Sequence, residues 1–191
     1  ALKINLNNDN IQLLKVKKNR GYGYGIIKGI EISNANLIAW THSDGQTDLN
    51  DIIKGYEIYE NIIKKNTNKL ILIKGFRYNR RLISKVISLG MEIITLLITF
   101  KYLKEINAQP KIFSSKIKNE LLLNPPNDFN LDLHLLLTAK KLNYSFYSIK
   151  VFFDKRNGSE AKGGGGGIKK IVKLSIETIK YLFKRKIKNP R

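Results

Sequence analysis

Short apolar runs alternate along this chain with longer segments in which apolar residues recur every three or four positions. The first pattern is typical of buried strands and the second of amphipathic helices. The runs predict strands at residues 11–16, 37–41, 70–73, 107–113 (a loop and then a short strand) and 147–153. The periodic segments predict helices at residues 26–32, 48–63, 82–100, 131–142 and 168–187. This alternation predicts an α/β fold, in which ligands bind beyond the carboxyl ends of the strands.

The chain carries 35 Lys and Arg residues against 15 Asp and Glu residues, a formal net charge of +20. Such a charge attracts polyanions: nucleic acids, anionic membrane surfaces or diphosphate substrates. Because part of the charge can simply solvate the surface, it does not by itself select one of these partners. The absence of cysteine excludes disulfides and thiolate metal sites. The longest apolar run, residues 93–100, is too short to cross a bilayer, which takes about 20 residues.

Asp44 and Gln46 directly follow the strand predicted at residues 37–41. A carboxylate and an amide oxygen two residues apart at a strand end can bind one hard cation, and Mg²⁺ or Mn²⁺ shares such ligands with substrate phosphates. The metal would offset the charge that develops on a departing nucleotide diphosphate. The alternative interpretation is a plain turn, since Asp-Gly is a common turn pair and Asp48 can cap the next helix.

A glycine-rich segment, residues 19–25, connects the first predicted strand to the first predicted helix. Glycines such as Gly21 and Gly23 let backbone N–H groups approach a phosphate, and a helix N-terminus favours negative charge. Their spacing is not that of a dinucleotide-binding fingerprint, so a structural turn is the alternative interpretation.

Two further segments carry candidate binding residues. Arg156 and Lys162 precede a run of five glycines, and two cations beside a flexible loop can close over a diphosphate; the alternative is a solvated linker. Asp132, at the start of the helix predicted at residues 131–142, is either a helix cap or a general base that faces an acceptor. His134 of the same helix is interpreted as a packed or surface histidine.

Taken in order, these segments resemble the motifs of the family-2 glycosyltransferases, which include dolichyl-phosphate mannose synthase. Residues 19–30 resemble the N-x-G-x-G…G-hydrophobic segment, and residues 37–48 (LIAWTHSDGQTD) resemble the strand that bears the D-A-D-x-Q metal motif. Residues 75–80 are similar to the G-x-R…R segment, residues 129–132 to the F-x-x-D helix start, and residues 156–162 to the R-x-x-G-x-S/E-x-K loop. The resemblance covers nearly the whole chain.

The resemblance implies an A-type glycosyltransferase fold and a role for each matching residue. Asp44, Gln46 and His42, which replaces the first aspartate of the metal motif, would bind Mg²⁺ or Mn²⁺. Asp132 would serve the acceptor as a general base. The residues that would bind the nucleotide-sugar and its phosphates are Asn19, Gly21, Gly23, Arg77, Arg80, Arg156 and Lys162.

The strands that grip the nucleotide base in this family carry a P-x-x-N-E motif and an acidic motif, and neither occurs here. We therefore expect an A-type fold truncated at the N-terminus, with strand edges that lack partners and weak nucleotide binding by the chain alone. Residues 1–167 would form a partial catalytic domain, and residues 168–191 a basic amphipathic C-terminal helix.

The expected activity is metal-dependent, inverting transfer of a sugar from a nucleotide diphosphate to a polyprenyl phosphate or saccharide acceptor, as in cell wall or polysaccharide biosynthesis. We expect a cytoplasmic protein at the inner face of the membrane, with the C-terminal helix on an anionic membrane surface. No nucleic-acid partner is expected. The alternatives are a basic, ribosomal-type nucleic-acid-binding α/β module and an inactive glycosyltransferase relative.

Overall fold

The computed structural model describes residues 12–44, 46–80, 82–153 and 167–188. The helices are α1 (Tyr22–Ile32), α2 (Asn50–Lys65), α3 (Leu82–Thr99), α4 (Lys118–Leu121, after a 3₁₀ turn at Ser115–Ile117), α5 (Asn130–Lys141) and α6 (Gly167–Lys188). The strands are β1 (Leu37–Trp40), β2 (Ile71–Arg77), β3 (Lys111–Ser114) and β4 (Ser145–Val151).

The four strands form one mixed sheet in the order β1-β3-β2-β4. β3 is antiparallel to both β1 and β2, and β4 is parallel to β2. β1, β2 and β4 therefore run in the same direction, and their carboxyl ends share one edge of the sheet. β3 starts at this edge, where Lys111 pairs with Trp40 on one side and with Lys74 on the other. The predicted α/β class is confirmed, and this carboxyl edge is the place where the fold predicts a ligand site.

Helices cover both faces of the sheet because alternate strand residues point to opposite sides. On one face, Ile71, Ile73 and Ile112 pack against the apolar stripe of α2. Gly55 of α2 allows close approach, since a Cβ there would lie 2.2 Å from Cδ1 of Ile112. On the other face, the core contains Leu72 and Phe113 of the sheet, together with residues of α1, α5 and α6.

Most of the predicted elements are confirmed within a few residues, and one is wrong. Residues 12–16 form no strand, and Leu13 and Leu14 are exposed. A short apolar run becomes a strand only where a neighbouring strand accepts its backbone hydrogen bonds, and no described strand pairs with this segment. The short helix α4 was not predicted.

The C-terminal helix α6 contributes to the main core. Leu182 is 1% exposed, and the Thr178 hydroxyl donates to Oδ1 of Asn130 on α5 at 2.8 Å. α6 also contacts α3. Among the helices of the described residues, none combines the length and the apolar character that a membrane span requires.

Candidate active site

Asp132 lies on the first turn of α5, directly beneath the carboxyl edge of the sheet, and is 2% exposed. Its Oδ1 is 3.1 Å from Nζ of Lys111, and its Oδ2 accepts a hydrogen bond from the Tyr22 hydroxyl at 3.2 Å. The alternative that Asp132 caps the helix is wrong. Asp128 accepts a hydrogen bond from a free backbone N–H group at the start of the helix instead, since its Oδ1 lies 2.8 Å from the backbone N of Asn130.

Lys111 lies at the centre of the candidate site, and the sequence did not identify it. Its side chain is fully buried, and its Nζ donates to the carbonyl oxygens of Ile106 at 2.8 Å and Ala108 at 2.6 Å. Burial lowers the pKa of Lys111, and the Asp132 carboxylate opposes that shift. The one available signal was a lysine at the start of an otherwise apolar strand.

Tyr22 connects Asp132 to the loop before β3. Its hydroxyl accepts a hydrogen bond from Nε2 of Gln109 and donates to Asp132. Its ring stacks on Phe129, with centroids 5.0 Å apart. Burial and the charge of Asp132 raise the pKa of Tyr22, so the hydroxyl keeps its proton and remains a donor.

His42 and Asp44 follow β1 at the same edge. Burial lowers the pKa of the partly buried His42, the carboxylates of Asp44 and Asp132 raise it, and the charges of Arg77 and Lys111 lower it further. The imidazole therefore lies within the electrostatic reach of four charged groups that are far apart in the sequence. The topology gives the same location: His42 and Asp44 follow β1, Arg77 ends β2, and Lys111 at the start of β3 binds Asp132. The roles that the resemblance implies for these residues stay predictions.

The metal-ligand set that the sequence predicts has mixed support in the geometry. Asp44 Oδ1 accepts from the backbone N of Gln46 at 3.3 Å, which is the turn geometry of the alternative interpretation. Nε2 of His42 is buried and has no hydrogen-bond partner among the described residues, so it is a nitrogen donor that a cation could use. The described residues contain no group of three or more His, Asp or Glu side chains that could hold a metal. The Mg²⁺ or Mn²⁺ site stays a prediction.

Arg77 and Arg80 converge on one carboxylate. Nε of Arg77 is 2.9 Å from Oε2 of Glu105, and Arg80 forms an ion pair with Oε1. The backbone N of Glu105 donates to Oε1 of Glu92 at 2.7 Å, which fixes this loop against α3. The Arg77 guanidinium also lies over the ring of Phe153, and the ring of His42 contacts the same phenyl ring. Phosphate binding by the two arginines stays a prediction, and Glu105 is a partner that the sequence did not indicate.

The glycines at the start of α1 lie against the loop at residues 126–128. A Cβ on Gly21 would be 2.4 Å from the carbonyl oxygen of Asn127, and one on Gly23 would be 2.4 Å from that of Pro126. Oδ1 of Asn19 accepts from the backbone N of Gly21 at 2.9 Å. Close packing therefore accounts for these glycines, and their phosphate-binding role stays a prediction.

Two of the predicted phosphate-binding residues, Arg156 and Lys162, lie outside the described residues. Their binding of a diphosphate stays a prediction. His134 is a packed histidine, as interpreted from the sequence, and is 3% exposed.

Comparisons with known proteins confirm the resemblance to family-2 glycosyltransferases. The chain is 24% identical to a dolichyl-phosphate beta-glucosyltransferase of Dictyostelium discoideum over 190 residues, which cover 93% of this chain and 57% of the relative. It is 25% identical over 179 residues to a dolichyl-phosphate beta-glucosyltransferase of Trichomonas vaginalis, covering 90% of this chain and 53% of the relative. The chain thus spans about half the length of these curated relatives. No family model matches the chain, and no solved structure matches it.

Proposed function

We propose that this chain forms the diphosphate and acceptor side of a glycosyltransferase that moves a sugar from a nucleotide diphosphate to a polyprenyl phosphate. The observation that carries the proposal is its similarity, over about nine-tenths of the chain, to two proteins named as dolichyl-phosphate glucosyltransferases. The location of His42, Asp44 and Arg77 at the carboxyl edge supports it, because ligands of open α/β sheets bind there. Asp132 reaches the same edge through its ion pair with Lys111.

The donor diphosphate would contact two parts of this edge, the metal ligands that follow β1 and the two arginines at the end of β2. His42, Asp44 and Gln46 would hold Mg²⁺ or Mn²⁺, whose charge would stabilise the departing diphosphate. Arg77 and Arg80, anchored by Glu105, place fixed positive charge beside it. The Glu105 anchor also limits side-chain motion, so less conformational entropy is lost when a phosphate binds.

The burial of Asp132 favours a phosphate acceptor over a saccharide. A sugar hydroxyl needs a general base, whereas a phosphate oxygen is already ionised at neutral pH. Asp132 is engaged by Lys111 and Tyr22 and is 2% exposed, so it offers an acceptor hydroxyl little access. In the proposed step, an acceptor phosphate oxygen bonds to the anomeric carbon. The bond from that carbon to the diphosphate oxygen breaks, and the nucleotide diphosphate leaves with the electron pair. This single displacement inverts the anomeric centre.

We propose that the protein works at the cytoplasmic face of a membrane, and the acceptor and α6 support a position at a membrane surface. A polyprenyl phosphate resides in a bilayer, so the protein must reach the membrane surface. On α6, the exposed residues Val172, Ile176, Phe183 and Ile187 lie within about 60° of one another around the helix, among lysines. An apolar strip flanked by lysines is typical of helices that lie in an anionic membrane interface.

A transfer assay with separate acceptors tests the proposal. The chain is incubated with nucleotide-diphosphate sugars, Mn²⁺, and either a polyprenyl phosphate in vesicles or an oligosaccharide. Because the chain spans about half of its relatives' length, we expect turnover only at high donor concentration. We expect a glycosylated polyprenyl phosphate and no glycosylated oligosaccharide. Transfer to the oligosaccharide alone would contradict the acceptor, and a folded chain inactive with both would contradict the function.

A further inference from the structure

A cleft with charged and apolar lining residues lies on the far side of α5 from Asp132. Asp132 and His134 are two residues apart on this helix, so their side chains point about 200° apart. The cleft has a volume of about 610 Å³ and lies between α5, the loop that follows α4, and α6. Its lining includes Asn127, His134, Lys180, Lys184 and Arg185. This volume is within the range of small-molecule sites.

Neutral groups hold the Arg185 guanidinium in place at the cleft. It donates to Nδ1 of His134 at 2.5 Å, to Oγ1 of Thr138 at 3.0 Å and to the Tyr181 hydroxyl at 3.2 Å. Nε2 of His134 is 2.9 Å from the carbonyl oxygen of Leu121 and therefore carries the proton that it donates there. The imidazole is neutral in this arrangement. Burial and the Arg185 charge lower the pKa of His134 to about 4, which agrees with a neutral ring.

The cleft carries more positive than negative charge. In the part of the chain that the structure describes, no ion pair involves Arg185, Lys180 or Lys184. Two carboxylates also line the cleft. Glu120 is paired with Lys141, whereas Asp128 accepts from the backbone N of Asn130 and keeps its charge. An oriented guanidinium with two lysines that form no ion pair is an arrangement that can bind a phosphate group.

The apolar strip of α6 adjoins this charge. Lys180 and Lys184 lie on the helix surface beside Phe183 and Ile187, which are 53% and 79% exposed. Tyr181 and Arg185 lie further round the helix, toward α5. A ligand with a phosphate in the cleft could therefore keep an attached acyl chain against the strip, whereas a free phosphate would use only the cleft.

We propose that this cleft is a binding site for the phosphate headgroup of an anionic membrane lipid. The phosphate site itself does not depend on the proposed transferase activity, whereas the lipid source rests on the proposed position of α6 at a membrane. The site would fix the rotation of α6 in the interface and so orient the carboxyl edge of the sheet relative to the bilayer.

Charge-matched variants of the 191-residue chain test this proposal. The cleft variant carries Lys180→Gln and Lys184→Gln, which remove two exposed lysines of the lining. The control carries Lys173→Gln and Lys186→Gln, which remove two exposed lysines of α6 outside the lining. Circular dichroism and Tm verify that both fold. The probes are phosphatidylcholine vesicles that contain phosphatidic acid, and inorganic phosphate.

Both variants lose two positive charges that attract anionic vesicles. We expect the cleft variant to bind the vesicles about tenfold more weakly than the control, because only the cleft variant loses charge-assisted hydrogen bonds to one phosphate. Inorganic phosphate should raise the Tm of the control more than that of the cleft variant. If both variants bind the vesicles equally well but inorganic phosphate raises the Tm of the control more, the cleft binds a free phosphate, and the lipid headgroup is ruled out. Equal behaviour in both assays would overturn the site. Neither assay contains a sugar donor, so the results do not depend on whether the protein is an active transferase.

Discussion

Lys111 and Asp132 form an ion pair that is almost completely shielded from solvent, with 0% and 3% of their side chains exposed. Two opposite charges in such a place stabilise the fold only as a pair, since each alone would lack both water and a counter-ion. The two backbone carbonyls that accept from Lys111 satisfy its other protons. The pair therefore positions Tyr22 and α5 against the carboxyl edge of the sheet.

Lys111→Met should lower the free energy of unfolding by about 3 to 5 kcal/mol, because it leaves the Asp132 carboxylate buried without a cation. The double variant Lys111→Met/Asp132→Asn should lose less than the single variant, since the uncompensated charge is gone. Urea unfolding monitored by circular dichroism measures both. If the loss in the double variant equals the sum of the losses in Lys111→Met and Asp132→Asn, the two side chains are not coupled.

The sequence could indicate Asp44, Asp132 and Arg77 as candidate site residues but gave little indication of their internal partners. Lysine is usually exposed, so its position at the start of an apolar strand was only a weak signal that Lys111 is fully buried. Glu105 lies in a loop 28 positions from Arg77, and only the tertiary fold brings the two side chains together. Partners of this kind depend on packing between distant segments, which local periodicity does not encode.

His134 should make stability depend on pH in a specific window. Its pKa is lowered from 6.5 to about 4 by burial and by Arg185, so the unfolded chain takes up a proton at higher pH than the folded chain does. Its contribution is therefore complete above pH 6.5 and is lost as the pH falls toward about 4. In urea titrations across this window, the free energy of unfolding should fall more steeply for the wild type than for His134→Gln. Equal slopes of the free energy of unfolding against pH for the two proteins would contradict the lowered pKa of His134.

At the scale of elements, the chain's periodicity was a good guide to helices and strands but not to their packing. The predicted central position of residues 70–73 is confirmed by β2, which lies between β3 and β4. The run at residues 11–16 shows the limit, because a strand needs a partner as well as an apolar pattern. Gly21 and Gly23 show it again, since their close approach to the loop at residues 126–128 joins segments about 100 residues apart.

Gly23→Ala and Gly25→Ala form a matched pair within α1. A Cβ on Gly23 would lie 2.4 Å from the oxygen of Pro126 and 2.8 Å from that of Asp128, whereas nothing lies within 4 Å of one on Gly25. We expect Gly23→Ala to lower the Tm by displacing this loop. Gly25→Ala should raise stability by about 0.5 to 1 kcal/mol, because alanine is the better helix former. Similar effects of the two substitutions would contradict the close packing.

At the scale of the whole molecule, the mixed sheet brings four chain segments to one edge, and the positive charge is distributed over more than one surface. At the carboxyl edge, His42 and Asp44 follow β1, Arg77 ends β2, and Asp132 pairs with Lys111 of β3. The cleft beside α6 carries Lys180, Lys184 and Arg185 on the other side of α5. The net charge of +20 is thus consistent with several phosphate-directed surfaces and does not require a nucleic-acid partner.

The central claim is that the carboxyl edge receives the donor diphosphate through Asp44. The direct measurement is sugar transfer to a polyprenyl phosphate by Asp44→Asn and by Asp48→Asn, an exposed neighbour whose amide can still accept from the backbone N of Asn50. Both variants remove one negative charge and keep the side-chain shape. We expect Asp44→Asn to lower turnover at least about a hundredfold, because a site of this kind contributes several kcal/mol to the transition state, and Asp48→Asn to retain it. Equal turnover in the two variants would contradict the claim.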